Sequence, residues 1–333
     1  MSALLDYDTG PLNWVRGDID AALQAALGRI QAYSVDADLT NALRLARDDA
    51  HQVAGALRMV GLEGAATLAG ALESCLADIN ESRLQANDDM LRALRNAIEG
   101  LQRWVKDLAD GRGSGELALF PLYKRLRELQ GAERVFEGEL FFPDLRSRPQ
   151  GKAANDGLTQ EALAAEVKSA RGQFQRGLLA FLRNVEAEQG LQRMRDALVA
   201  IERVAPSHAS QTFWWACVGF VDSLIARGVE ADFHVKQLLA RVDLQMRRLM
   251  EGSPQVAERL LRDALFFVAK SQPQDGRAAE VRMTFGLDRY LPGRGMLDPE
   301  ALARLRPVLD ALQNGLKAAR DCWHAYVEGN AEQ

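Results

Sequence analysis

The residues best suited to chemistry lie in one short run, HQVAGALRMVG, from His51 to Gly61. His51 is a candidate nucleophile. Gly55 follows one helical turn later and Arg58 about one turn after that. At roughly 100° per residue the three share a helix face with Arg44, Arg47 and Asp48, and that face is polar. The same winding gathers Leu39, Leu43, Ala46, Ala50, Val53, Leu57 and Val60 on a separate apolar seam. His51 is therefore expected to stand open to solvent and not to be a satisfied core histidine. A solvated imidazole titrates near about pH 6.5, so much of it is neutral and nucleophilic at neutral pH.

Glycine inside a helix costs roughly 0.5–1 kcal/mol relative to alanine, and something should offset that cost. A missing side chain beside an exposed imidazole leaves room for a second molecule to approach within bonding range. The chemistry this suits is acceptance of a phosphoryl group by His51 from an aspartyl phosphate on a partner. That partner would bring its own magnesium ion, so no cofactor is expected in this segment. The helix would supply the nucleophile, with Gly55 giving access and Arg58 giving charge.

The elements that must hold these residues read as helices throughout. The first part gives helices over about 11–33, 38–60, 63–79, 88–109 and 116–130, with Asp38 as an N-cap and Gly61 as a stop. Residues 131–158 break the pattern. Their second half is rich in glycine, proline and charge, a linker signature. Their first half holds LFFPDL, too apolar to float free, and is expected to pack as a tether across a bundle groove. Helices resume near Thr159, over about 159–187, 190–205, 208–227, 231–250, 254–270 and 298–328, with a shorter one within 272–295. The expected fold class is all-α: an antiparallel bundle over 1–130, a tether and linker over 131–158, and a second helical domain over 159–330.

Composition narrows the function classes. The chain has 333 residues, 47% hydrophobic and 26% charged, with a net charge of -5. That balance suits a globular protein and argues against a nucleic-acid partner, which would call for a basic surface. Cys75, Cys217 and Cys322 are far apart and form no CxxC pair, which suits a reducing cytoplasm. Cys322 and His324 point in different directions on a helix, so no metal site is expected there. The start has no basic run before an apolar core, so no secretory signal is read. The longest apolar stretch, Phe213–Ile225, is too short to span a bilayer and is interrupted by Asp222, so membrane insertion is not expected. Its aromatic cluster, with Trp214 and Trp215, reads as core before it reads as a binding platform. His208, His234 and His324 show no partnering pattern. No Ser/His/Asp set or paired carboxylates in a cleft motif appear, so an enzyme acting alone is a poor reading.

The stretch HQVAGALRMVGLEGAATLAGALE resembles the signature of histidine-phosphotransfer (HPt) domains, helical bundles that relay phosphoryl groups between kinases and response regulators. The matching positions are His51 as acceptor, Gly55, the small Ala56 and Gly61, with Leu68 and Leu72 before Glu73 in the next helix. Two positions depart from the family. Its usual lysine three residues after the histidine is Ala54 here, and its usually small residue six after is Leu57. Arg58 would have to stand in for the lysine.

LNWV (12–15), HQVAGALRMV, LFFPDL and LRDALFFVAKS (261–271) together look like the N-terminal region of ChpA/PilL-type hybrid histidine kinases of the type IV pilus chemotaxis-like system. They are also similar to the FimL-like scaffolds of that system, whose phosphotransfer-like domain lacks the acceptor histidine. The presence of His51 favours the kinase. The resemblance implies a fragment of a larger chain, because no nucleotide-binding glycine boxes are read here. The partners it implies are response regulators of the pilus system and polar or pilus scaffold proteins, with a place in the cytoplasm at the cell pole. Two functions follow: a phosphorelay module acting through His51, or a non-catalytic scaffold that localises signalling partners.

Overall fold

The computed structural model describes residues 9–36, 39–147 and 158–291. Eleven α-helices and no strand are found among them: α1 (Thr9–Val35), α2 (Thr40–Met59), α3 (Glu63–Asn80), α4 (Asp88–Ala109), α5 (Phe120–Leu129), α6 (Gln160–Leu182), α7 (Ala187–Val204), α8 (His208–Ile225), α9 (Phe233–Met250), α10 (Glu258–Ser271) and α11 (Gly276–Thr284). The all-α class is what the helical spacing of apolar residues dictates.

Helices α1 to α4 form the first bundle, with α1 against α2 and α4, and α3 against α2. Helix α4 shows why these segments are helical. The Asn87 side chain accepts the N–H of Met90, Asp88 and Asp89 lie in the first turn, and Lys106 lies in the last. These groups cap the free amides and suit the helix dipole. Its Leu91, Leu94, Ile98, Leu101, Val105 and Leu108 are buried at spacings of three and four. On α2 the apolar seam is buried from Leu43 through Leu57, and Val60 is half-buried. Leu39 is a correction: it precedes the helix as N-cap and is 45% exposed. The expected Asp38 cap lies outside the described residues.

The segment read as one helix over 116–130 is a 3-10 turn, Glu116–Leu119, followed by α5, with Pro121 in the first turn of α5. Proline is tolerated there because its missing N–H would have no partner inside the helix. Beyond α5 the chain crosses toward the second bundle. Leu140, Phe141 and Pro143 are buried, and the Phe141 ring meets Phe266 and Tyr290 edge-on. The Arg262 guanidinium stacks over Phe142, and the Tyr290 hydroxyl accepts the N–H of Asp144. Residues 148–157 are outside the described set.

In the second bundle α6 and α7 make a hairpin so close that a Cβ on Gly177 would stand 2.4 Å from the Gly190 carbonyl oxygen. Helix α6 stops at Leu182, short of residue 187, because Asn184 and Glu186 adopt positive φ and turn the chain. Helix α8 is the buried centre, flanked by α7, α10 and α11. Trp214 is fully buried and its indole N–H donates to the Ser210 hydroxyl. The aromatic cluster is therefore core. Asp222, the one carboxylate in that apolar run, pairs with Arg195 at 2.6 Å. No helix among the described residues is long and apolar enough to cross a membrane. The described residues belong to one compact unit. The helix expected over 298–328 and the Cys322/His324 pair fall outside the described residues.

Candidate functional site

The hairpin between α2 and α3 builds the site. Gly61 has φ +76°, its N–H donates to the Arg58 carbonyl, and the Leu62 N–H donates to the Leu57 carbonyl. This is the left-handed glycine stop of a Schellman motif, which satisfies the last carbonyls of α2 and reverses the chain at once. Helix α3 must then run back along α2. His51 and Glu73 each lie eleven residues from Leu62, so the hairpin sets them side by side.

Their side chains touch. Nδ1 of His51 lies 3.0 Å from Oε1 of Glu73. A carboxylate can only accept, so Nδ1 carries a proton, and in the neutral ring the lone pair is left on Nε2. The imidazole is 71% exposed and the Glu73 side chain 32%. His51 is thus an exposed imidazole whose ring is held by Glu73. Glu73 is the partner of His51 that the sequence left without a role. Its equal distance from the Gly61–Leu62 turn was the available signal.

Gly55 lies one turn from His51, and a Cβ built on it would meet nothing within 4 Å. No neighbour in the chain demands a glycine there. The space beside the imidazole is open. Arg58 is exposed and reaches across to α3, where its Nη2 lies 3.8 Å from the position of a Cβ on Gly70. It forms no ion pair among the described residues.

The other cations of α2 are engaged. Arg47 pairs with Asp48 at 2.7 Å, and that hydrogen bond holds the Asp48 carboxyl below its usual range. Arg44 donates twice to the Asn41 side-chain oxygen. Ala54 and Leu57 are fully buried, so neither position offers a group to the imidazole. Among the described residues no cluster of histidine, cysteine and carboxylate side chains could hold a metal ion. Cys75 and Cys217 are buried core residues, and burial lifts the Cys75 thiol to about 12. His234 stacks on Phe136, with ring centroids 4.7 Å apart.

The first turn of α3 is held from a distance. Leu62 gives it no side-chain cap. Instead Oε1 of Glu116 accepts the Ala65 N–H at 2.8 Å, and the same carboxylate also accepts the Gly64 N–H. The 3-10 turn after α4 thereby fixes the helix that carries Glu73.

Comparison with known proteins agrees with this architecture. Residues 15–104 match the family model "Hpt domain", and residues 159–298 match "FimL scaffold protein second domain". The chain is 26% identical over 328 residues to the scaffold protein FimL of Pseudomonas aeruginosa. The match covers 92% of this chain and 58% of that protein. No solved structure matches. The fold is thus an HPt-like helical bundle followed by a second helical domain, and the likeness found is to FimL; it lends no support to the ChpA/PilL reading that the presence of His51 favoured.

Proposed function

We propose that this chain is a signalling module of a type IV pilus system in which His51 exchanges a phosphoryl group with a response regulator. The observation that carries the reading is the His51–Glu73 contact beside the open space at Gly55. Glu73 fixes the tautomer, so Nε2 attacks the phosphorus of an aspartyl phosphate on the regulator. The Nε2–P bond forms, the P–O bond breaks, and the aspartate leaves with the electron pair. Nδ1 keeps its proton, and the cationic ring is stabilised by the Glu73 carboxylate. The regulator supplies the magnesium ion that spreads the charge of the transferring group. Arg58, two turns along the same helix, offers positive charge to the phosphoryl group.

A second reading has its own support. The relative matched over most of this chain is named a scaffold, and Ala54 stands where an Hpt domain usually has lysine. On that reading the bundle binds and localises signalling partners at the cell pole without transfer. Gly55→Leu separates the two. Under the relay reading the variant blocks transfer, because the leucine fills the approach to Nε2. Under the scaffold reading there is no transfer to lose, and capture of the partner proteins persists with equal strength in wild type and variant.

A further inference from the structure

Helix α1 is apolar on two opposite faces. Its inner face, Leu12, Ile19, Leu23, Ala26 and Ile30, is buried in the first bundle. At roughly 100° per residue the reverse face carries Trp14, Gly17, Ala21, Ala25, Gly28, Ala32 and Val35. Trp14 is 86% exposed and Val35 90%. A second apolar face left in solvent marks a contact surface. Gly17 and Gly28 sharpen the point. Both sit inside the helix, where glycine is unfavourable, and a Cβ on either would meet nothing within 4 Å. The chain's own packing gives no reason for them.

The same face carries a knob and a hole. The knob is Trp14. The hole is a groove of about 420 Å³ between α1 and α2, floored by Ala25, Gly28 and Ala32 and walled by Leu39 and Leu45. Trp14 and Gly28 lie seven residues on either side of Ala21. A two-fold axis through Ala21 therefore brings each knob onto the other copy's hole, as a self-complementary interface requires. Gly17 then falls opposite Ala25, Asp18 opposite Gln24, and Asn13 opposite Arg29, so no like charges face each other. Asp20 is turned aside, accepting from Gln102 of α4.

The geometry points to a symmetric dimer in which α1 of one copy lies antiparallel on α1 of a second, with each Trp14 seated over Gly28 of the other. Overlap of residues 10–32 is about 33 Å of helix. Each Trp14 would add about 150–250 Å² of buried surface to that overlap. This surface lies on the far side of α1 from the core and does not involve His51, so the dimer stands whether or not His51 relays.

The test uses the full chain in sedimentation equilibrium and a cysteine cross-link. Wild type should dimerise, and Trp14→Ala should weaken the dimer roughly 30-fold or more, the loss of a central aromatic anchor. Gly28→Leu guards against misfolding: leucine is the better helix former, so the fold persists while the filled groove loses the dimer. In a Cys322→Ser background, Ala21→Cys should form a disulfide-linked dimer on oxidation, and Ala32→Cys should not. A wild type that stays monomeric at about 100 µM overturns the proposal. So does a dimer that keeps its strength in both Trp14→Ala and Gly28→Leu, or one that Ala21→Cys fails to cross-link.

Discussion

The carboxylate of Glu116 accepts the backbone N–H of Ala65, and so a residue fifty-one positions along the chain caps the helix that holds Glu73 against His51. Burial lifts that carboxyl from its ordinary 4.5 to about 7, against the pull of the two backbone amides it accepts. The folded state then holds the proton more tightly than the unfolded chain does. The stability this gives is fully present below about pH 4.5 and is lost as pH rises through about 7, a change of roughly 3 kcal/mol. Glu116→Gln keeps an oxygen for Ala65 and cannot titrate. Urea unfolding at about pH 5 and about pH 8 should show the variant losing less stability than wild type over that span. Equal losses in both proteins would contradict the account of this cap.

Two glycines of the first bundle should respond in opposite ways. A Cβ on Gly64 would stand 2.6 Å from the backbone oxygen of Leu140, and backbone cannot step aside cheaply. Gly64→Ala should destabilise by about 1–3 kcal/mol, because α3 and the tether are forced apart. Gly55 faces open space, so Gly55→Ala should stabilise by about 0.5–1 kcal/mol. Thermal melts of both variants check the contrast. A stabilised Gly64→Ala would show that the tether does not rest on α3 as described.

Phe141 is the anchor of that tether, 1% exposed and held edge-on by Phe266 and Tyr290. Phe141→Ala should cost about 3–5 kcal/mol, the usual loss for a fully buried ring. Limited proteolysis reads the same event as new cleavage between residues 131 and 147. A variant as stable and as protected as wild type would contradict the packing described for LFFPDL.

Much of this fold is legible in the sequence because helices announce themselves locally. Helix α4 falls on the residues that its Asn87 cap and apolar spacing mark out, and Gly61 ends α2 by the left-handed turn that glycine allows. Thr159 and Ser207 cap α6 and α8 through their side chains, as such residues do. The misses follow from the same locality. Asn184 and Glu186 end α6 by adopting positive φ, which neither residue type advertises strongly. Leu39 fits the apolar seam by spacing but precedes the helix and is exposed. His51, Gly55 and Arg58 could be placed on one helix face from spacing alone. Their setting could not, because Glu73 and Glu116 reach α2 and α3 only through the hairpin and a distant turn.

Glu73 positions His51, and its removal should show as a change in reactivity without a change in fold. Glu73→Ala should slow phosphoryl uptake about 10-fold or more, as loss of a base-orienting group does. Glu73→Gln, whose amide oxygen can still accept from Nδ1, should recover part of the rate. Thermal stability should be nearly the same in all three proteins. If uptake is unchanged in Glu73→Ala, the contact between the two side chains does not orient the ring.

The most direct measurement is transfer to His51 itself. The full chain is mixed with a pilus response regulator phosphorylated on aspartate, with magnesium, and the same is done with His51→Gln. The account predicts acid-labile phosphate on the wild type and none on the variant. Absence of label on both proteins, with the regulator still bound, would contradict the relay and leave the chain a scaffold.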